Sequence, residues 1–177
     1  MKKYIPYAYS ESLFEIDPDF FKKIGIKYII CDLDNTLDSH KQEIPSDRTR
    51  EYLELLKKNN LIPIVISNNT KKRVDKYCEC LNLLYIPRAG KPFTKNTRKF
   101  LKTNSINQDE CIMIGDQLMT DIKCANKIGI KSILTENVVN SDQLVTKRNK
   151  LFDKPKRNKL KKQKLLINWR TIYGRVK

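Results

Sequence analysis

From residue 26 onward, short apolar runs rich in β-branched residues alternate with segments of helical periodicity. That alternation restricts the chain to a parallel sheet covered by helices, an α/β core. The runs occupy residues 26–31, 62–66, 84–86, 111–114 and 130–134. Pro45-Ser46-Asp47 opens a helix carrying Tyr52, Leu53, Leu55 and Leu56, and Thr70 caps another carrying Val74, Tyr77, Cys78 and Leu81. Residues 93–102 and 117–128 supply two more. Gly25 and Gly129 each end a helical pattern just before a strand, where a left-handed cap without a Cβ is favoured. Residues 10–23, with Leu13, Phe14, Phe20 and Phe21, form a leading helix or turn packed on this core.

Length limits what can accompany that core. At 177 residues the chain suits one ordinary domain and roughly 30 residues of appendage. The expected division is a domain over residues 1–146, with 1–25 as its leading segment, and a tail over 147–177. The composition is 40% apolar and 32% charged, and no apolar run approaches the ~20 residues that span a bilayer, which argues against an integral membrane protein. The start, Met1-Lys2-Lys3-Tyr4-Ile5-Pro6, runs on to Glu11, Glu15, Asp17 and Asp19 without the apolar core of a secretory signal. The five cysteines, Cys31, Cys78, Cys80, Cys111 and Cys124, lie inside apolar or helical patterns, and Cys78-Glu79-Cys80 has no partner cluster at zinc spacing. Reduced thiols and a cytoplasmic setting are expected.

The charge is uneven. Residues 147–177 hold 13 of the 36 basic residues and one of the 20 acidic ones, so most of the net +16 belongs to the tail. Asp153-Lys154-Pro155 is expected to interrupt it, and beyond that point Leu165, Trp169, Ile172, Tyr173 and Val176 recur at helical spacing. The tail reads as a basic, amphipathic extension.

Chemistry concentrates where the apolar runs end. The first run leads into Asp32-Leu33-Asp34-Asn35-Thr36-Leu37, placing two carboxylates at the carboxyl end of a buried strand, where open α/β sheets bind ligands. Alternation along a strand turns Asp32 and Asp34 to one side, where two uncompensated carboxylates repel and call for a cation. A hard divalent ion such as Mg2+ prefers such oxygen donors. A second acidic pair follows the fourth run, with Asp116 after Gly115 at the strand tip and Asp121 about one helical turn later. Ser67-Asn68-Asn69 and Lys91 occupy the ends of the two runs between. A hydroxyl, amides and an ammonium converging on a metal-bound anion would hold a phosphoryl group. His40, the only histidine, lies in a polar loop and is expected to be uninvolved; Arg88 is open between a surface charge and a substrate contact, and Asn68 and Asn69 between helix capping and substrate contact.

The ordered set Asp32-x-Asp34-x-Thr36, Ser67, Lys91 and Gly115-Asp116-x-x-x-x-Asp121 resembles the four motifs of the haloacid dehalogenase (HAD) superfamily. The resemblance implies a Rossmann-like core and phosphoryl transfer through an aspartyl-phosphate. Asp32 would be the nucleophile and Asp34 the acid and base, the latter marking the phosphatase branch. It further implies Mg2+ held by the Asp32 carboxylate, the Asp34 main-chain carbonyl and Asp116, with Asp121 ligating through water or orienting Lys91, and phosphate held by Ser67 and Lys91, with Asn68 a further candidate. Thr36 would buttress the loop.

Only about ten residues separate Leu37 from the helix near Ser46, and 23 lie between Ser67 and Lys91, which leaves no room for a cap domain. A capless site is open, so a large or surface-bound substrate is accommodated better than a small one. Within the superfamily the chain is similar to the class IIIA, YqeG-type branch, through Pro6-Tyr7-Ala8-Tyr9, Ile16-Asp17-Pro18 and Ala89-Gly90-Lys91-Pro92. That resemblance, which covers roughly residues 4–146, implies a phosphatidylglycerophosphate phosphatase, acting on an anionic phospholipid. A basic amphipathic tail carrying Trp169 and Tyr173 suits peripheral contact with an anionic membrane at its inner face. It also suits RNA or ribosome binding, or packing on the protein's own core. A soluble or nucleic-acid phosphate is the alternative substrate.

Overall fold

The strand that ends in the first acidic motif lies in the middle of the sheet. In the computed structural model, which describes residues 2–138 and 147–176, the six strands are β1 (Ala8–Tyr9), β2 (Tyr28–Asp32), β3 (Ile62–Ile66), β4 (Leu84–Ile86), β5 (Cys111–Gly115) and β6 (Lys131–Leu134). Their order is β1-β6-β5-β2-β3-β4 and every pairing among them is parallel. Ile30 of β2 pairs with Ile64 on one side and Met113 on the other, so β2 has no free edge. Helices are α1 (Pro18–Lys23), α2 (Asp47–Lys58), α3 (Lys71–Cys78), α4 (Lys95–Thr103), α5 (Lys123–Ile128), α6 (Lys147–Lys162) and α7 (Trp169–Arg175).

Burial on both faces of the sheet explains why the strands read as continuous apolar runs. Ile29 and Cys31 of β2 join one core with Leu53, Leu56, Phe20 and Phe21. Ile30 points the other way, into a second core with Ile64, Met113, Leu101 and Ile128. Helix starts follow local chemistry: Ser46 Oγ accepts from Thr49 N at 3.2 Å, and Thr70 Oγ1 from Arg73 N at 3.4 Å. Gly129 takes φ 97° between α5 and β6, as its position after a helical pattern predicts.

Three features differ from the sequence-based expectation. Ala8 and Tyr9 form a strand against Ile133 and Leu134, too short to show alternation of its own. Residues 117–128 are not one regular helix: a π-helical turn over Leu118–Ile122 precedes α5. Pro155 does not interrupt the tail, because α6 runs through it with the proline exposed, and the buried contacts of Asp153 and Leu160 on the same helix offset the backbone bond that proline removes.

The apolar side of the last helix is turned inward. Trp169 is buried, and its ring lies 5.5 Å from that of Phe20, while Tyr173 donates to Asp19 Oδ2 at 2.7 Å. The aromatic pair expected at an interface thus covers α1, since aromatic area buried against Phe20 outweighs exposure to water. Among the described residues no helix is long and apolar enough to cross a membrane.

Candidate active site

Each parallel strand delivers its following loop to the same edge of the sheet, and the four motifs meet there. Asp32, the last residue of β2, is buried, and its Oδ1 accepts from Lys91 Nζ at 2.5 Å. The same ammonium lies 2.6 Å from Asp121 Oδ1. Asp116 follows β5 directly. One carboxylate oxygen from each of Asp32, Asp116 and Asp121 lies within 4.8 Å of the others.

Gly115 makes this approach possible. A Cβ at that position would stand 2.6 Å from Asp121 Oδ2, so only glycine lets the Asp121 carboxylate fold back over the strand end. From there Asp121 Oδ2 accepts from Gln117 N at 3.2 Å and from Thr120 Oγ1 at 3.2 Å.

The Asp34 carboxylate turns to a different set of partners. Ser67 Oγ donates to its Oδ2 at 3.2 Å, Asn69 Nδ2 reaches the same oxygen at 3.4 Å, and Arg73 Nη2 lies 3.4 Å from Oδ1. Asp34 is thus placed beside Ser67, while Asp32 and Asp121 pair with Lys91 and Asp116 joins their cluster. Asn68 is committed to the loop of Lys91: its amide donates to the Lys91 carbonyl at 2.8 Å, and its oxygen accepts from Lys91 N at 2.7 Å. Thr36 is buried in the turn after Asp34, which is closed by Asn35 at φ 70° and by Asn35 N donating to Asp38 O at 2.7 Å.

The electrostatics follow from burial. Asp32 is pushed up to about 7, chiefly by burial; Lys91 opposes the shift, and Asp121 and Asp34 add to it. Asp116 is held well above the ordinary carboxylate range, again by burial first and then by Asp32 and Asp121. Burial by itself would lower the Lys91 ammonium, but Asp121 and Asp32 outweigh it and keep Lys91 above the ordinary lysine value. Three clustered carboxylates with one buried ammonium among them leave an excess of negative charge with little water to screen it. Asp116 Oδ1 is buried with no hydrogen-bond donor, an orphaned acceptor in an all-oxygen donor set. These residues fit a hard divalent cation.

Several contributors were not evident in the sequence. Asp38 accepts from Ser46 N at 3.0 Å, Thr49 Oγ1 at 2.9 Å and Tyr77 OH at 2.6 Å, tying the first motif loop to α2 and α3. Arg73 carries no motif, although its place one helical turn after Thr70 brings it near the loop. Asp153 and Arg157 reach the Asp116 loop from α6, and nothing local announces them. Arg88 takes φ 47° and is exposed, with its carbonyl accepting from Asn96 Nδ2 at 2.9 Å. His40 lies half-buried beyond Asp38.

Known proteins resemble this chain. A HAD-hydrolase-like family model matches residues 88–155. The chain is 31% identical over 153 residues to the Bacillus subtilis protein named "Probable phosphatase YqeG", covering 86% of this chain and 89% of that one. It is 26% identical over 136 residues to glyceraldehyde 3-phosphate phosphatase of Pyrococcus furiosus, covering 72% of this chain and 56% of that enzyme. Among solved structures, an uncharacterized protein from Listeria monocytogenes serotype 4b superposes with a TM-score of 0.54 at 15% identity, over 70% of this chain and 88% of that one, a likeness of fold. An identity of that level with the Bacillus protein, sustained along most of both chains, places the chain in the HAD superfamily, as a phosphoric monoester hydrolase of the YqeG type.

Proposed function

We propose that this protein is a Mg2+-dependent phosphatase that works through an aspartyl-phosphate on Asp32 and converts phosphatidylglycerophosphate to phosphatidylglycerol. The observation that carries the reading is the clustering of the Asp32, Asp116 and Asp121 carboxylates, two of them paired with the Lys91 ammonium, with Asp34 two residues beyond the strand tip. The Asp32 carboxylate, the Asp34 main-chain carbonyl, Asp116 and Asp121 would hold the Mg2+. Bound there, the ion would offset the repulsion among these carboxylates and the charge of the phosphoryl oxygens.

The residues divide the reaction between them. An Asp32 oxygen attacks phosphorus while the bond to the alcohol oxygen breaks and Asp34 supplies that oxygen with a proton. Asp34, now ionised, takes a proton from the water that attacks the acyl phosphate. The bond from phosphorus to Asp32 then breaks, inorganic phosphate leaves and the nucleophile is restored. Ser67 and Lys91 hold the phosphoryl oxygens, and Asn68 supports them by fixing the Lys91 backbone. Positioned charge supplies most of the acceleration, because the transition state spreads negative charge over those oxygens.

Three features support a lipid phosphate. The chain between motifs is too short to build a cap. Ile44, in the loop after the first motif, and Phe93, two residues past Lys91, are exposed large apolar side chains, 55% and 73% respectively. Exposed lysines at 154, 159, 161 and 162 give α6 a cationic outer face suited to an anionic surface. Phosphate release from phosphatidylglycerophosphate in mixed micelles tests the reading. Turnover that disappears in Asp32→Asn and on chelation is expected; turnover confined to soluble sugar, nucleotide or nucleic-acid phosphates would overturn the lipid assignment.

A further inference from the structure

We propose that Asp153 and Arg157 of α6 are positioning residues for the cation site, acting through the backbone of residues 116–119; this rests on the metal-dependent reading above. Asp116 supplies the orphaned acceptor, and the direction of its carboxylate depends on how its own peptide group is held. Arg157 Nη2 donates to the Asp116 carbonyl at 2.5 Å. The same guanidinium donates to the Thr135 carbonyl at 3.3 Å and to Glu136 Oε2 at 2.7 Å, so its fork spans the ends of β5 and β6.

Two residues downstream begins the π-helical turn that presents Asp121, where Gln117 Oε1 accepts from Thr120 Oγ1 at 3.5 Å. Asp153 supplies an acceptor to the first turn's backbone from 34 residues away, its Oδ1 receiving Met119 N at 3.2 Å. Asp153 Oδ2 also lies 3.6 Å from Arg157 Nε, which orients both side chains. Leu160, one turn further along α6, is buried against Leu118, Ile122 and Leu134. Positions 153, 157 and 160 share one helix face, and that face is seated on the loop carrying Asp116 and Asp121.

Both side chains bond to the backbone of the loop, through which they set the geometry of the cluster. Groups one step removed from the ligands commonly change metal affinity by about 10- to 100-fold. The tail's polar inner face is therefore part of the hydrolase site, whatever its basic outer face contacts.

The test is Mg2+ binding to the full-length, metal-stripped chain, by calorimetry and by the rise in Tm that Mg2+ produces. Arg157→Lys keeps the charge and loses the fork; Asp153→Leu keeps the bulk and loses the acceptor for Met119 N. Lys161→Ala, on the same helix and paired with Glu136 at 3.4 Å, is the control. Both site variants are expected to bind Mg2+ about tenfold more weakly or worse, with a smaller Mg2+-induced rise in Tm, while the control matches the native protein. A purely structural role would lower Tm equally with and without Mg2+ and leave affinity unchanged, and that result overturns the inference. Native protein that binds no Mg2+ would overturn the metal reading itself, and the inference with it.

Discussion

Lys91 Nζ lies 2.6 Å from Asp121 Oδ1, and neither side chain is more than 2% exposed. A buried ion pair of this kind is held together by mutual need, because each partner without the other is an unscreened charge in a poorly hydrated interior. Replacing one partner is far more damaging than an exposed pair would imply. Lys91→Met is expected to abolish phosphatase activity and to destabilise the metal-free fold by about 3–5 kcal/mol. Urea denaturation checks this: the midpoint should fall with little change in slope.

The carboxylate cluster makes stability depend on pH with a defined sign. Asp32 is raised from its ordinary value to about 7 and Asp116 is raised too, so between the unfolded value near 3.8 and the folded values the native state binds more protons than the unfolded chain. Stability contributed by the protonated carboxyls is therefore present at low pH and lost as pH rises through the folded values. In EDTA, Tm is expected to drop by several degrees from pH 5 to pH 8. Saturating Mg2+ should recover more of it at pH 8 than at pH 5, and a flat profile would count against the cluster as drawn.

Asp32→Asn separates catalysis from stability. The amide cannot attack phosphorus, so activity should vanish. Yet the substitution removes a buried charge that Asp116 and Asp121 oppose. Metal-free Asp32→Asn is expected to melt no lower than the native chain at pH 8, measured side by side in EDTA.

Gly115→Ala would place a methyl 2.6 Å from Asp121 Oδ2, and backbone and carboxylate cannot both stay. A loss of about 1–3 kcal/mol is expected from overpacking, with a fall in turnover of about tenfold or more as Asp121 is displaced. Circular dichroism melting and initial rates at saturating Mg2+ measure the two effects separately.

At the other end of the chain, Trp169 is buried against Phe20 and Tyr173. Trp169→Ala is expected to cost about 3–5 kcal/mol, the usual range for deleting a buried aromatic, in chemical denaturation. A change below about 0.5 kcal/mol, typical of a surface position, would show that α7 does not dock in solution.

The sequence by itself determined the parallel α/β core and the motif residues, because both are local signals. Two-sided burial writes continuous β-branched runs, and Asp32, Ser67, Lys91 and Asp116 each stand where such a run ends. Helix starts at Ser46 and Thr70 and the left-handed Gly129 were legible for the same reason. Only the tertiary structure decided which side chains meet. It turned Asp34 toward Ser67 and Arg73, committed Asn68 to the Lys91 backbone, paired the two-residue β1 with β6, and carried α6 through Pro155 so that Asp153 and Arg157 could reach the Asp116 loop. Those contacts join positions tens of residues apart, and no periodicity, cap or turn near either partner records them. They exist because burying Trp169 and Leu160 brings the tail onto the core, where its polar inner face finds backbone groups that lack local partners.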